Sequence, residues 1–301
     1  MCKPNFLIIG AAKSGTTTLY EQLRMHPEVF MPNIKEPNYF ALKNNKIKFL
    51  KETVARGYYE GFVYNLEDYL SLFHDCDKYK AIGEASPIYL FDKDAPYEIK
   101  KMIPDVKLIV ILRNPIERAF SNFLMHHPGI GYETTKNFIE ALELEEERKK
   151  NNWWWGFYYK EAGLYSIQLE RYFSLFKRSQ ILILLYEELK DNPDVVYSKI
   201  ADFLNISPFF TDPQKQYNAT KIPRIRSIEK LLQNKYLSFI GRMLFTKKSR
   251  QFFKKTIRSI NSTKISITDE EYNYLIEYFE NDIKKLEKML NLNLKHWYTK
   301  R

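Results

Sequence analysis

The run Asn5-Phe-Leu-Ile-Ile-Gly10-Ala-Ala-Lys13-Ser14-Gly15-Thr16-Thr17-Thr18-Leu-Tyr20 constrains this chain more than any other stretch. An aliphatic segment with almost no polar residue suits a strand buried on both faces, and hence a parallel sheet. The small residues after it let backbone N–H groups crowd around an anion. A helix opening at about Gly15 adds the positive end of its dipole. This is phosphate-binding chemistry. The spacing Gly10-x-x-x-x-Gly15 begins like a nucleoside-triphosphate loop, but Thr16 and Thr17 stand where Lys and Ser/Thr belong, and the lysine is displaced to Lys13. The most apolar strand candidate, 107–112, runs into Arg113-Asn114-Pro115 and not into an aspartate that would hold Mg²⁺. The loop therefore reads as a phosphate cradle without a metal.

Hydrophobic periodicity places further strands at 79–84, 106–112 and 180–185. Helices are expected at 15–25, 66–73, 97–102, 116–126, 136–150, 164–176, 192–204 and 268–290. The 136–150 helix carries an acidic face of Glu140, Glu143 and Glu147 and closes on Arg148-Lys-Lys150, which suits the helix dipole. The last helix opens with the capping-box pattern Thr268-Asp-Glu-Glu271. Strands alternating with helices predict a three-layer α/β fold, P-loop-like, with a central parallel sheet flanked by helices. One domain over 1–301 is expected, with 205–267 as a basic, irregular extension over the core.

Charge is concentrated in that extension. The whole chain carries +10, yet residues 221–260 hold twelve Lys or Arg against one acid, Glu229, leaving about −1 for the remainder. Bulky apolar residues interleave with the basic ones there. A solvated face, an anionic-membrane surface and a groove for an acidic substrate all fit that pattern. No nucleic-acid partner is expected. No stretch approaches the ~20 apolar residues of a spanning helix, and the chain enters its first strand directly after Lys3-Pro4 without a signal-like region. Cys2 and Cys76 are too few for a disulfide framework, which fits a reducing cytoplasm. The expectation is a cytoplasmic protein, with peripheral membrane contact left open.

Four segments together resemble one family. Lys13-Ser-Gly-Thr-Thr-Thr18 is similar to the 5′-phosphosulfate loop of sulfotransferases that use 3′-phosphoadenylyl sulfate (PAPS). His26-Pro27-Glu28-Val29 with Lys35-Glu36-Pro37-Asn38-Tyr39-Phe40 resembles the segment after that loop in bacterial and heparan-type members. Gly83-Glu84-Ala85-Ser86-Pro87 resembles their catalytic-acid segment, and Leu112-Arg113-Asn114-Pro115-Ile-Glu117-Arg118-Ala119-Phe120-Ser121 their 3′-phosphate motif. Gly163-Leu-Tyr165 and Leu294-Lys-His-Trp297 extend the likeness over nearly the whole chain.

The resemblance implies transfer of a sulfuryl group from PAPS to an acceptor hydroxyl, with no metal. It assigns the phosphosulfate to Lys13, Ser14, Gly15, Thr16, Thr17 and Thr18, with Lys13 also stabilising the leaving group. The 3′-phosphate falls to Arg113 and Ser121, with Arg224 or Arg226 reaching it from the basic segment. Arg113 could instead form a structural ion pair with Glu117. Glu84 is the implied general base; heparan-type members usually follow it with Lys, whereas Ala85 stands here, which weakens inference to a polyanionic sugar acceptor. His26, His126 and His127 are the rival bases. Lys35 and Glu36 could contact the acceptor or simply cap a loop. The aromatic run Trp153–Tyr159 could stack on sugar or lipid, but packing is its commoner use. Carbohydrate, lipid and small natural-product hydroxyls all remain open as acceptors. Outside this family, a nucleotide-dependent kinase and a non-catalytic basic membrane-surface protein are the alternatives.

Overall fold

The computed structural model describes residues 2–42, 61–127, 132–208 and 265–300, together with 222–223, 249 and 262–263. Five strands form one parallel sheet: β1 (Phe6–Gly10), β2 (Val29–Phe30), β3 (Ala81–Ala85), β4 (Lys107–Leu112) and β5 (Ile181–Leu185), in the order β2-β3-β1-β4-β5. The three central strands are apolar on both faces because each face is covered. Phe6, Ile8, Ile109 and Ile111 point to a layer holding the helices Thr16–Arg24 and Pro193–Leu204. Leu7, Ile9, Leu108, Val110 and Leu112 point to the opposite layer. There the helices Ala95–Met102, Pro115–His126, Tyr165–Phe173 and Asp269–Leu290 pack. The three-layer α/β expectation is what the chain forms.

The order β3-β1-β4 matters most for function. The chain leaves β1 toward one side of the sheet and later returns to the other, so a crevice opens at the carboxyl ends of these three strands. In open α/β sheets ligands bind at such a reversal. Close packing of β1 on β3 requires Gly83: a Cβ there would lie 2.4 Å from the Phe6 ring.

Most expected elements are present, with three instructive differences. The strand read at 79–84 is Ala81–Ala85 and is third in the sheet's chain order, because the two-residue Val29–Phe30 pairs outside it. Two residues carry too little periodicity to register as a strand. The helix read over 136–150 breaks at Leu144 into Phe138–Glu143 and Glu145–Lys150. Its Arg148 does not decorate the carboxyl end but turns inward to the buried Glu133. Finally, Cys2 and Cys76 are joined as a disulfide, against the expectation of reduced cysteines. Strand pairing explains the approach: Asn5 binds Lys80 O and Ile82 N, which fixes the chain's start beside the segment entering β3.

The capping box at Thr268 forms as read, with Glu271 N and Thr268 N each satisfied by the other residue's side chain. Of the expected basic extension, the described part is small: Ile222–Pro223 pairs antiparallel with Ser262–Thr263. Arg224, Arg226 and nearly all of the 221–260 charge lie outside the described residues.

Candidate active site

Three sequence-distant motifs meet at the carboxyl ends of β1, β3 and β4. After β1 the chain turns through Lys13 and Ser14 to Gly15, whose φ of 96° lies in the left-handed region. A side chain at Gly15 would also press on Leu189 and Tyr186, with a Cβ only 3.1–3.2 Å from them. Glycine lets the loop lie flat against the exit of β5. The helix starts at Thr16, so its first free N–H groups face the loop. Ser14 is fully buried, with its hydroxyl against the Tyr165 phenol. Thr16 is buried, while Thr17 and Thr18 are partly exposed.

Lys13 carries its amine into a cationic neighbourhood. Its Nζ lies 3.5 Å from Met125 Sδ, a weak contact for an ammonium. Burial first, then the charge of Arg113, hold its pKa down at about 8. Glu36 opposes this, but it is already paired with Lys35.

Arg113 emerges from β4 half-buried. Its Nε and Nη2 donate to Glu117 Oε2 at 3.2 and 3.0 Å, and its Nη1 donates to the Lys13 carbonyl at 3.2 Å. The ion pair weighed from sequence therefore exists, and the same arginine also reaches the phosphate-type loop. The helix behind it starts on Asn114, whose Oδ1 accepts from Ile116 N and Glu117 N. Tyr272 OH and the Trp297 carbonyl hold the Asn114 amide from the carboxyl-terminal segment. Ser121 sits two turns along this helix, half-buried. Arg118, on the inward face, is fully buried; it donates to the Tyr159 carbonyl, and its Nε and Nη1 find no acceptor.

Glu84, at the end of β3, is fully buried. Ser86 Oγ donates to its Oε2 at 2.8 Å and Tyr69 OH to its Oε1 at 3.4 Å. These donors favour the carboxylate, but desolvation outweighs them and raises its pKa to about 7. The surrounding Tyr69 and Tyr89 rings keep the site dry. The segment carrying Lys35 and Glu36 lies over the same strand end, with Glu36 N on the Ala85 carbonyl and Asn38 N on Ser86 Oγ, both at 3.1 Å.

The three histidines divide. His26 lies beyond the far end of the Thr16–Arg24 helix, held by Glu28 N and Ser207 O at 3.0 Å each. His126 is close enough to feel Lys13, but burial and that charge push its pKa down to about 3. His127 packs edge-on against Phe123. The aromatic run is packing among the described residues: Trp154 stacks on Phe62, Trp155 on Phe91, and Trp153 meets Phe157 edge-on.

Two site residues were missed from sequence. Tyr186 lies under the Arg113 guanidinium, 4.7 Å from ring centre to charge. Tyr165 OH donates to the Arg113 carbonyl at 3.0 Å. Tyr186 had a signal, since it directly follows the buried strand β5, where site residues of such sheets collect.

Comparison with known proteins agrees with this geometry. The chain is 30% identical over 256 residues to carbohydrate sulfotransferase 15 of Mus musculus, covering 69% of this chain and 44% of that protein. It is 30% identical over 221 residues to heparan sulfate glucosamine 3-O-sulfotransferase 6 of Homo sapiens, covering 72% of this chain and 57% of that protein. It thus spans about half the length of the curated relatives it matches. The crystal structure of a sulfotransferase from Alicyclobacillus acidocaldarius superposes with a TM-score of 0.76 at 26% identity, covering 99% of this chain and 100% of that one. The sulfotransferase domain model matches residues 3–291. On that match, together with the loop, acid and arginine gathered at one sheet edge, this chain belongs to the sulfotransferase family.

Proposed function

We propose that the chain moves a sulfuryl group from PAPS to a hydroxyl of a carbohydrate acceptor, with Glu84 as general base. The single observation that carries this is the buried Glu84 carboxyl beside a cationic cradle. Its pKa of about 7 suits a group that must be ionised before reaction and protonated after it. Carbohydrate is favoured over lipid or small natural products because the named relatives act on carbohydrate. Ala85, where heparan-type members carry Lys, argues against a strongly anionic chain.

The residues present fit the donor. Gly15 leaves no side chain over the loop, where a Cβ would meet Leu189 and Tyr186, and Lys13 and Arg113 supply two cations. Lys13 and the backbone of 14–18 would hold the phosphosulfate, and Arg113 with Ser121 the 3′-phosphate. Arg224 and Arg226 keep the donor-binding role that the resemblance gives them, and a peripheral membrane contact of the basic segment stays part of the proposal. When bound, PAPS supplies an activated sulfuryl group and a phosphate leaving group. Glu84 takes the acceptor's proton as the hydroxyl oxygen attacks, and Tyr69 and Ser86 keep the carboxylate aimed. Lys13 places positive charge where the departing phosphate gains negative charge.

The test is transfer of labelled sulfate from PAPS across saccharide, lipid and small-alcohol acceptors, with Glu84→Gln beside the native chain. Native turnover should rise with pH through about 7 as the carboxylate ionises. The variant should bind donor normally while losing about 10²–10⁴-fold in turnover, together with that acid limb. Near-normal turnover in Glu84→Gln would move the base role to one of His26, His126 and His127.

A further inference from the structure

Arg113 can donate five N–H bonds, and the contacts above use three of them. Glu117 takes Nε and one hydrogen of Nη2, on the side edge of the guanidinium. The Lys13 carbonyl takes one hydrogen of Nη1. What remains is one hydrogen on each terminal nitrogen. Both lie away from the edge that Glu117 holds, where a phosphate can accept from them. The plane is fixed as well, because Tyr186 lies beneath it at 4.7 Å. Tyr186 is in turn fixed by the loop, since its ring carbons sit 3.2 Å from where a Gly15 Cβ would be.

We propose that Glu117 and Tyr186 are positioning residues: they clamp Arg113 by its edge and its face so that its remaining N–H groups meet one phosphate of the donor. This rests on the PAPS reading above. It explains why an acid is tolerated at an anion site. Glu117 occupies only the edge that faces its own helix, four residues on, and leaves the remaining N–H groups to the ligand.

The test is calorimetric binding of adenosine 3′,5′-bisphosphate and of adenosine 5′-monophosphate to the native chain, Glu117→Gln, Tyr186→Leu and Tyr186→Phe. Native protein should prefer the bisphosphate; equal affinity for the two would overturn the PAPS reading, and the clamp with it. Given that preference, Glu117→Gln should lose about tenfold on the bisphosphate alone, the scale of one charge-assisted hydrogen bond. Its monophosphate affinity and thermal midpoint should stay native. Tyr186→Leu should lose about 2–5-fold on the bisphosphate, from the cation–π contact, and Tyr186→Phe should restore it. Unchanged or tighter bisphosphate binding in Glu117→Gln would show Glu117 to be a competitor or a bystander, and so would equal loss on both nucleotides.

Discussion

Two buried groups of charge, one short stretch of chain apart, are built in opposite ways. Around Glu133 everything is paired. Arg148 grips the carboxylate with both terminal nitrogens, Nη1 at 3.0 Å from Oε2, and Tyr159 OH donates to Oε2 at 2.6 Å. The backbone N–H groups of Thr134 and Thr135 donate to Oε1 at 2.7 and 3.2 Å. The Arg148 guanidinium is stacked near Trp153, Phe157 and Tyr159. At the cradle, charge of one sign collects. Lys13, Arg113 and Arg118 press on one another, and Arg118 has two donors without acceptors among the described residues. A closed network of this kind holds a fold together. An open one stores unsatisfied polarity, which a ligand of opposite charge can use. The Glu133 group is therefore architecture, fastening the segment around 133–159, and the cradle is where we propose the function lies.

The sharpest way to break the comparison is to remove one partner from each side. Arg148→Met leaves Glu133 buried without its counter-charge, which typically costs about 3–5 kcal/mol. Urea unfolding should show that loss, whereas donor affinity per folded molecule should stay native. A stability loss below about 1 kcal/mol would mean that the network is not the fastening it looks like.

Glu84 offers a test with the opposite sign. Its pKa is raised from 4.5 to about 7 in the fold, so the fold favours the protonated form. The stability this gives is complete on the acid side, below the unfolded value. It is lost as pH rises toward about 7, a change on the order of 3 kcal/mol. Glu84→Gln cannot ionise. It should therefore be more stable than native protein above pH ~7 and similar to it below pH ~4.5, as thermal midpoints across pH would show. A variant less stable at every pH would make Glu84 a structural acid.

The smallest expected effect is at the helix cap. Thr268→Ala removes one bond from the capping box and should cost about 1 kcal/mol without touching donor affinity. A loss of donor binding would instead tie the carboxyl-terminal helix to the cradle through Tyr272 and Asn114.

What could be read from sequence divides along the same physical line. The cradle was legible because loop, acid and arginine each sit at the end of an apolar run, where local pattern and residue type suffice. The parallel three-layer sheet followed from alternating elements; the order that gathers Lys13, Glu84 and Arg113 is set by pairing that no local pattern carries. The Glu133–Arg148 network was not legible. Its partners are joined by tertiary packing, and Arg148 follows an acidic run that reads as a solvated helix face. Tyr186 escaped for a related reason: its partner is 73 residues away, and no local period links them. The Cys2–Cys76 pair depends on β1 lying next to β3, which two cysteines in a sequence cannot announce.

The central claim is that the cradle is an anion site left incomplete by the protein's own side chains. Titration of native protein, Lys13→Ala and Arg113→Ala with adenosine 3′,5′-bisphosphate tests it most directly, with thermal midpoints recorded in its absence. The native chain should bind and be stabilised by the ligand. Each variant should lose tenfold or more in affinity, since a desolvated charged hydrogen bond is worth about 2–5 kcal/mol. Neither variant should melt appreciably lower without ligand, because removing one of several like charges relieves repulsion and the Arg113–Glu117 pair is partly exposed. Native-like titrations in both variants, or ligand-free unfolding at clearly lower temperature with unchanged affinity, would make these cations structural and contradict the account.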